Sequence, residues 1–165
     1  MKSGKVLRSE LLELLQGGNA HMGFSEVLAG LPLERINDKP PNTPYSLWHF
    51  VEHLRIAQWD ILEFIRNPSH VSPEYPAGYR PAAGEKTDAA GWQESCSRFL
   101  ADLEALKELV LDERVDLLAP LPHARDYNIL REILLVADHN AYHVGELAIM
   151  RQVMELWPLD NRYLG

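Results

Sequence analysis

Two histidines, His139 and His143, lie four residues apart in the stretch REILLVADHNAYHVGELAIMRQV, which has no proline and one glycine. This composition predicts a long helix, on which residues four apart are about 40° apart around the axis and one turn apart along it. Both imidazoles can therefore reach one metal ion. The best candidate for a third ligand is His53, because it lies in SLWHFVEHLRIAQWDILEFI, the other long helical stretch with histidine near its middle.

Three neutral imidazoles suit Zn²⁺, Ni²⁺, Fe²⁺ or Cu²⁺ and leave coordination positions open, which is typical of catalytic rather than structural sites. Such a site keeps the full charge of the ion and favours an anion in the open position. That anion can be a hydroxide formed from bound water or a substrate thiolate whose pKa the metal lowers. Both are nucleophiles at neutral pH, so these residues alone leave a hydrolase and a thiol-dependent enzyme open.

Three further side chains are candidates for the same site. His49, four residues before His53, could donate a second ligand from that helix, or it could be a partly buried histidine near the helix start. Glu146 follows His143 by three residues and could be a fourth ligand, a base or an orienting partner. Asp60, seven residues after His53, could act in the same ways. The ordinary alternative for both carboxylates is a solvated or structural role.

Other kinds of catalytic site lack their residues in this chain. No glutamate is followed by histidine three places later, as the carboxylate di-iron bundles require, and there is no His-Glu-x-x-His motif or cysteine pair. The chain also has no Gly-rich phosphate loop and no Gly-x-Ser-x-Gly sequence. The histidines are therefore the main indication of chemistry.

Composition limits the partners and the compartment. The chain has 165 residues, so we expect a single domain over residues 1–165. Its 16 Lys and Arg residues against 24 Asp and Glu give a net charge of -8, which disfavours nucleic-acid binding. Cys96 is the single cysteine, and the apolar runs are far too short to span a bilayer. These features predict a cytoplasmic protein that binds no membrane.

Hydrophobic periodicity predicts four long helices and no strand. The first covers 6–16 and ends at two glycines, and residues 24–29 add a short turn. Thr43 and Pro44 are the expected start of the second helix, which ends at Asn67-Pro68. A long loop then covers 67–87. These elements predict an all-α four-helix bundle with long crossover connections, in an up-down-down-up or similar order.

Hydrophobic periodicity and capping residues also predict the last two helices. The third begins near Thr87 or Asp88 and carries a bundle seam with spacings of four and three residues, in which we expect Cys96 to be packed. Asp126 is the expected cap of the fourth helix, which continues to about Glu155. In the seam lie Trp92, Cys96, Phe99, Leu103, Leu106 and Val110.

The segments WHFVEHLRIAQWDILEF and DHNAYHVGEL resemble those of the DinB/YfiT-like superfamily of metal-dependent enzymes. AHMGF near the start and YPAGYRP in the long loop are similar to the branch that shares the HNAYH segment. The resemblance implies a four-helix bundle with an unusual crossover topology, often a homodimer. It implies one metal-binding histidine on the second helix, His53, and two on the last, His139 and His143. Glu146 departs from many members, which have glutamine after that glycine.

The same resemblance implies the kind of reaction. Relatives include thiol-dependent transferases, which use low-molecular-weight thiols such as bacillithiol or mycothiol, and isomerases or hydrolases that act through such thiols. We therefore expect a thiol-dependent transferase with a divalent ion (Zn, Ni or Fe) and a small-molecule substrate. The alternatives are a hydrolase in which Glu146 or Asp60 helps to move protons, and a non-catalytic metal- or ligand-binding stress protein. The apolar positions Trp157 and Leu159 favour a homodimer.

Overall fold

The computed structural model describes residues 2–157, with side chains from residue 4 onward. The chain forms a mostly helical bundle in which α1 and α3 each pack against both α4 and α5. A short helix, α2, follows α1. The all-α four-helix bundle predicted from the sequence is therefore confirmed. The helices are α1 (Lys2–Gln16), α2 (Phe24–Leu28), α3 (Leu47–Arg66), α4 (Ala89–Leu111) and α5 (Ile129–Val153).

The core forms because apolar side chains recur at helical spacing on the facing sides of these helices. The seam predicted on α4 is buried at five of its six positions, and Cys96 is only half-buried against the core. Burial raises the pKa of the Cys96 thiol to about 11. The seam meets a buried stripe on α3 and another on α5 that include Leu47, Val51, Leu54, Leu62, Ile133, Val136, Val144 and Leu147.

The start of α3 differs from the prediction at Thr43 and Pro44. The helix begins three residues later, at Leu47, with Ser46 as its cap: the Ser46 hydroxyl accepts from the backbone N–H of His49 at 3.4 Å. The reason lies in the preceding chain, which returns across the first turn of the helix. The backbone N–H groups of Leu47 and Trp48 donate to the carbonyls of residues 38 and 36. These bonds satisfy the first free N–H groups of a helix that begins at Leu47, so the capping residue is Ser46 and not Thr43.

The prediction of Asp126 as the cap of the last helix was wrong, and so was the prediction of no strand. Two short strands, β1 (Pro120–Leu121) and β2 (Ala124–Asn128), pair antiparallel, and Asp126 lies exposed in β2. Asn128 caps α5, since its side-chain oxygen accepts from the backbone N–H of Arg131 at 2.8 Å. A hairpin this short has too few residues for an alternating pattern to show in the sequence.

Other predicted boundaries agree with the structure. Asn67 ends α3, and Asp88 caps α4 by accepting from the backbone N–H of Gly91 at 2.9 Å. No helix within residues 2–157 has the length and apolar character needed to cross a membrane. Trp157 is half-buried, with its ring 3.9 Å from the Arg151 guanidinium, so it is not an open apolar position. Leu159 lies outside the described residues.

Candidate metal centre

The three histidines singled out by spacing meet in the bundle. α3 contributes His53, and α5 contributes His139 and His143 one turn apart. The Nε2 atom of His53 lies 3.1 Å from Nε2 of His143 and 3.2 Å from Nε2 of His139. One nitrogen from each ring lies within 4.8 Å of the others, which is a spacing that could hold one metal ion.

The opposite ring nitrogens of two of these histidines are tied to acceptors. Nδ1–H of His53 donates to the backbone carbonyl of Tyr79 at 2.8 Å, and Nδ1–H of His143 donates to Oε2 of Glu146 at 2.6 Å. A carbonyl or carboxylate oxygen can only accept, so the proton of each neutral ring resides on Nδ1. Each Nε2 therefore presents a lone pair toward the shared space.

This arrangement fits a divalent metal ion. Two imidazole lone pairs facing each other at 3.1 Å repel unless a cation lies between them. For metal–nitrogen bonds of about 2.0–2.1 Å, such a separation corresponds to an angle of roughly 100° at the ion, between octahedral and tetrahedral values. A carbonyl or carboxylate that accepts a hydrogen bond from Nδ1–H is also the usual partner of a ligating histidine. The donor set is thus the one expected of an open three-imidazole site.

The electrostatics keep the rings neutral. The pKa of His139 is lowered to about 4, mainly by burial and also by the neighbouring His143 and His53. Burial also lowers the pKa of His143 to about 4, helped by His53 and Arg80. The pKa of His53 is lowered by burial, with the Tyr79 carbonyl acting in the opposite direction. Near pH 7 all three rings are therefore neutral, and each has a lone-pair nitrogen that can coordinate a cation.

His49 does not join this cluster. It is 1% exposed, and both of its ring nitrogens have partners. Nε2–H donates to the backbone carbonyl of Ala82 at 2.9 Å, and Nδ1 accepts from the Ser46 hydroxyl at 2.6 Å. His49 therefore belongs to the capping arrangement of α3 and holds the long loop against the helix.

Asp60 also holds the long loop. The residue is 7% exposed, and its carboxylate accepts from Nε2–H of His70 at 2.7 Å and from the hydroxyl of Tyr79 at 2.6 Å. Burial, followed by the hydrogen bond to Asp60, raises the pKa of Tyr79 to about 12, so the phenol stays a donor. Asp60 is two turns, about 10 Å, along α3 from His53. Its oxygens face His70 and Tyr79 of the long loop.

One face of α3 thus fastens the loop of residues 67–87 at three points. The fastening side chains are His49, His53 and Asp60, spaced by four and seven residues. Among these contacts is the Tyr79 carbonyl that orients His53. Asp60 therefore acts on the cluster indirectly, because it fixes the side chain of the residue whose backbone binds His53.

Two residues near the cluster were missed by sequence reasoning: Tyr79 and Arg80. Tyr79 contributes a backbone carbonyl, which every residue type has, so its identity carried no signal. Arg80 follows it, and its guanidinium carbon lies 4.2 Å from the centre of the Tyr45 ring. The only available signal was their position in the YPAGYRP segment of the long loop.

A groove of about 520 Å³ lies between α3 and α4, lined by Arg55, Arg66, Arg98 and the indole of Trp59. Its positive charges are paired: Arg55 with a glutamate three residues before it, Arg66 likewise, and Arg98 with one four residues before it. None of the three histidines lines this groove. We therefore place the candidate chemistry at the histidine cluster.

A comparison with known protein families matches the part of the chain that contains the cluster. A family model described as the DinB superfamily matches residues 18–147, which include all three clustered histidines and the long loop. No curated protein and no solved structure matches the chain.

Proposed function

We propose that the chain, which belongs to the DinB superfamily, is a metal-dependent enzyme. In this proposal it is a thiol-dependent transferase whose ion is held by His53, His139 and His143. One observation carries the proposal: three neutral imidazoles converge through Nε2 while Nδ1 of two of them is tied to acceptors. Zn²⁺, Ni²⁺ and Fe²⁺ all suit such a donor set. The family and the cluster support metal binding, and the transferase activity is our extension of them.

The bound ion would supply a positive charge that lowers the pKa of a thiol in its open position. The chain's own residues prepare that position. Three neutral ligands add no charge of their own, so the open position favours an anion. The Tyr79 carbonyl and the Glu146 carboxylate hold the rings of His53 and His143 in orientation, which limits the reorganisation needed on binding.

Two aromatic rings contact His143 of the cluster. The centroid of Phe50 is 6.0 Å from that of His143, and the centroid of Tyr142 is 5.0 Å from it. Tyr142 is 65% exposed, so its ring forms part of an accessible surface beside the ligand. We propose that this surface excludes water from one side of the thiol and receives the apolar part of the electrophile.

A hydrolase is the second candidate, and Glu146 is the observation that favours it. Its side chain is 35% exposed, so its carboxylate is accessible to a water molecule as well as bonded to His143. Asp60 is a poorer base, since both of its oxygens already accept hydrogen bonds from the loop. The hydrolase would act without any thiol, which separates the two candidates.

The experiment is a thiol-consumption assay with metal-loaded protein against a panel of electrophiles. We expect turnover that His143→Ala abolishes and that His21→Ala, which removes an exposed histidine elsewhere, leaves unchanged. Equal turnover in the His143 variant would overturn the metal-site assignment. Turnover of esters or lactones at the same rate with and without thiol would replace the transferase by the hydrolase.

We also propose that the chain is one domain that acts as a homodimer in the cytoplasm. On α5, Leu135 and Ile149 are spaced by 14 residues and are 40% and 60% exposed. Such spacing places them on one side of the helix, where a second copy could cover them. Ile149→Glu should then shift the mass in light scattering from dimer to monomer. A monomeric wild-type protein would contradict the proposal.

A further inference from the structure

Arg80 occupies a special position beside the histidine cluster. It directly follows Tyr79, whose carbonyl accepts the hydrogen bond from His53. The peptide group that orients this histidine therefore joins Tyr79 to Arg80. Its guanidinium lies over the Tyr45 ring, and Tyr45 contacts Phe50 edge-on at 6.2 Å between centroids. Phe50 in turn contacts His143, so Arg80 belongs to one continuous surface with the cluster.

The guanidinium of Arg80 is linked to the cluster by ring contacts, since the Tyr45 ring beneath it contacts Phe50 and Phe50 contacts His143. A cation beside ligands that hold another cation is electrostatically unfavourable unless an anion joins them. The chain has a net charge of -8, so a positive residue at this place is not a consequence of overall composition.

Arg80 also differs from most arginines of the described residues 2–157 in its partners. Arg55, Arg66 and Arg98 each pair with a nearby glutamate, and Arg151 donates to backbone carbonyls. For Arg80, no carboxylate in that part of the chain lies within 4.0 Å of its guanidinium nitrogens. Its guanidinium instead lies over the Tyr45 ring. Its donors are available to a ligand.

We infer that Arg80 binds a carboxylate of the substrate whose thiol occupies the histidine cluster. This inference rests on the proposed function and extends it to a substrate class, mercapto-carboxylic acids and larger thiols that carry a carboxylate. A single guanidinium matches the charge and the two oxygens of one carboxylate through parallel N–H···O bonds.

The loop fastening holds this subsite in place before substrate binds. Asp60 fixes the side chain of Tyr79, His53 fixes its carbonyl, and the Tyr45 ring supports the guanidinium of Arg80. A preorganised guanidinium loses little conformational freedom on binding, so more of the interaction appears as affinity.

The test uses protein loaded with Co²⁺, whose absorption bands report a sulfur ligand. The probes are 3-mercaptopropionate, 2-mercaptoethanol and propionate. Dissociation constants are compared between wild type, Arg80→Gln, Arg80→Lys and Arg125→Gln. Arg125 is exposed on β2, so its replacement makes the same change in net charge away from the cluster. The ratio of the two thiol constants within each protein cancels the intrinsic difference between the thiols.

We expect the dissociation constant of 2-mercaptoethanol divided by that of 3-mercaptopropionate to fall by about tenfold or more in Arg80→Gln. A charge-assisted hydrogen bond contributes about 1.5–3 kcal/mol, and 1.4 kcal/mol is tenfold. Arg80→Lys should retain part of the preference, and Arg125→Gln all of it. Co²⁺ affinity should not fall in Arg80→Gln, because the ligands are intact.

The outcomes separate the two proposals. If both thiols bind wild type and Arg80→Gln with the same ratio, the inference is overturned while thiol binding stands. If the thiols leave the spectrum unchanged but propionate binds in an Arg80-dependent way, the carboxylate subsite stands and the thiol-transferase proposal fails. If no probe shows any dependence on Arg80, the inference is overturned.

Discussion

Asp60→Asn should uncouple the long loop from the metal centre. In the native protein the carboxylate accepts from His70 and from Tyr79, and the Tyr79 carbonyl orients His53. Asparagine has nearly the same shape, but only its oxygen accepts. The amide group must therefore oppose one of the two donors, and the other bond loses its charged acceptor.

The magnitude follows from these contacts. A hydrogen bond to a charged group contributes about 1.5–3 kcal/mol, so loss of one and weakening of the other should lower the free energy of unfolding by about 2–3 kcal/mol. Loss of an orienting partner of a ligating histidine typically costs about 10–100-fold in metal affinity. Because Asp60 acts through Tyr79, we expect the lower part of that range.

The assay has two parts. Urea unfolding of the metal-free protein measures stability, and competition with a chelator measures metal affinity in buffers that keep the variant folded. Asp126→Asn is the matched control, since this aspartate is exposed on β2. Asp60→Asn and Tyr79→Phe should be non-additive in both quantities, because they share one hydrogen bond.

Two results would refute this reasoning. If Asp60→Asn loses stability but binds metal as tightly as Asp126→Asn, the loop does not position His53. If metal affinity and stability are both unchanged while turnover is lost, Asp60 acts in the chemical step and its role as a loop anchor is wrong.

Two further predictions concern the loop and the cysteine. A Cβ added at Gly78 would lie 2.7 Å from Cβ of Pro73, so Gly78→Ala should displace the neighbouring loop and weaken metal binding in chelator competition. Gly84→Ala, with nothing within 4 Å, should not, and equal losses would contradict the argument. Because burial raises the pKa of Cys96 from 9.0 to about 11, iodoacetamide at pH 8 should alkylate the native protein about 100-fold more slowly than the urea-unfolded chain. Similar rates by mass spectrometry would show that the thiol is not protected.

The helices and the histidine cluster were accessible from the sequence because both depend on helical periodicity. Residues four apart on one helix must lie on one side of it, so His139 and His143 follow from spacing alone. His53 needed a second argument, its place on another long helix, together with the family resemblance. The structure brings all three together.

The helix starts were less accessible because caps depend on where the preceding chain lies. Thr43 with Pro44 has good capping chemistry, but the chain at residues 36–38 returns over the first turn and moves the cap to Ser46. Likewise Asp126 has a suitable side chain, but the hairpin places it away from the start of α5, where Asn128 acts instead.

The surroundings of the cluster were the least accessible part. The contact that orients His53 uses a backbone carbonyl from a loop 26 residues away, and no side-chain pattern encodes such a contact. The proximity of Arg80 follows from the same loop path. By contrast, the nearness of Glu146 to His143 follows from their three-residue spacing, and their hydrogen bond agrees with the orienting role weighed for Glu146.

The most direct test of the central claim is the stoichiometry of metal binding. Elemental analysis and calorimetry on protein first stripped with a chelator and then supplied with Zn²⁺ or Ni²⁺ should give one tightly bound ion per chain. His53→Ala, His139→Ala and His143→Ala should each lose it, and His21→Ala should bind as wild type does. One ion bound with undiminished affinity after replacement of any of the three clustered histidines would contradict the account.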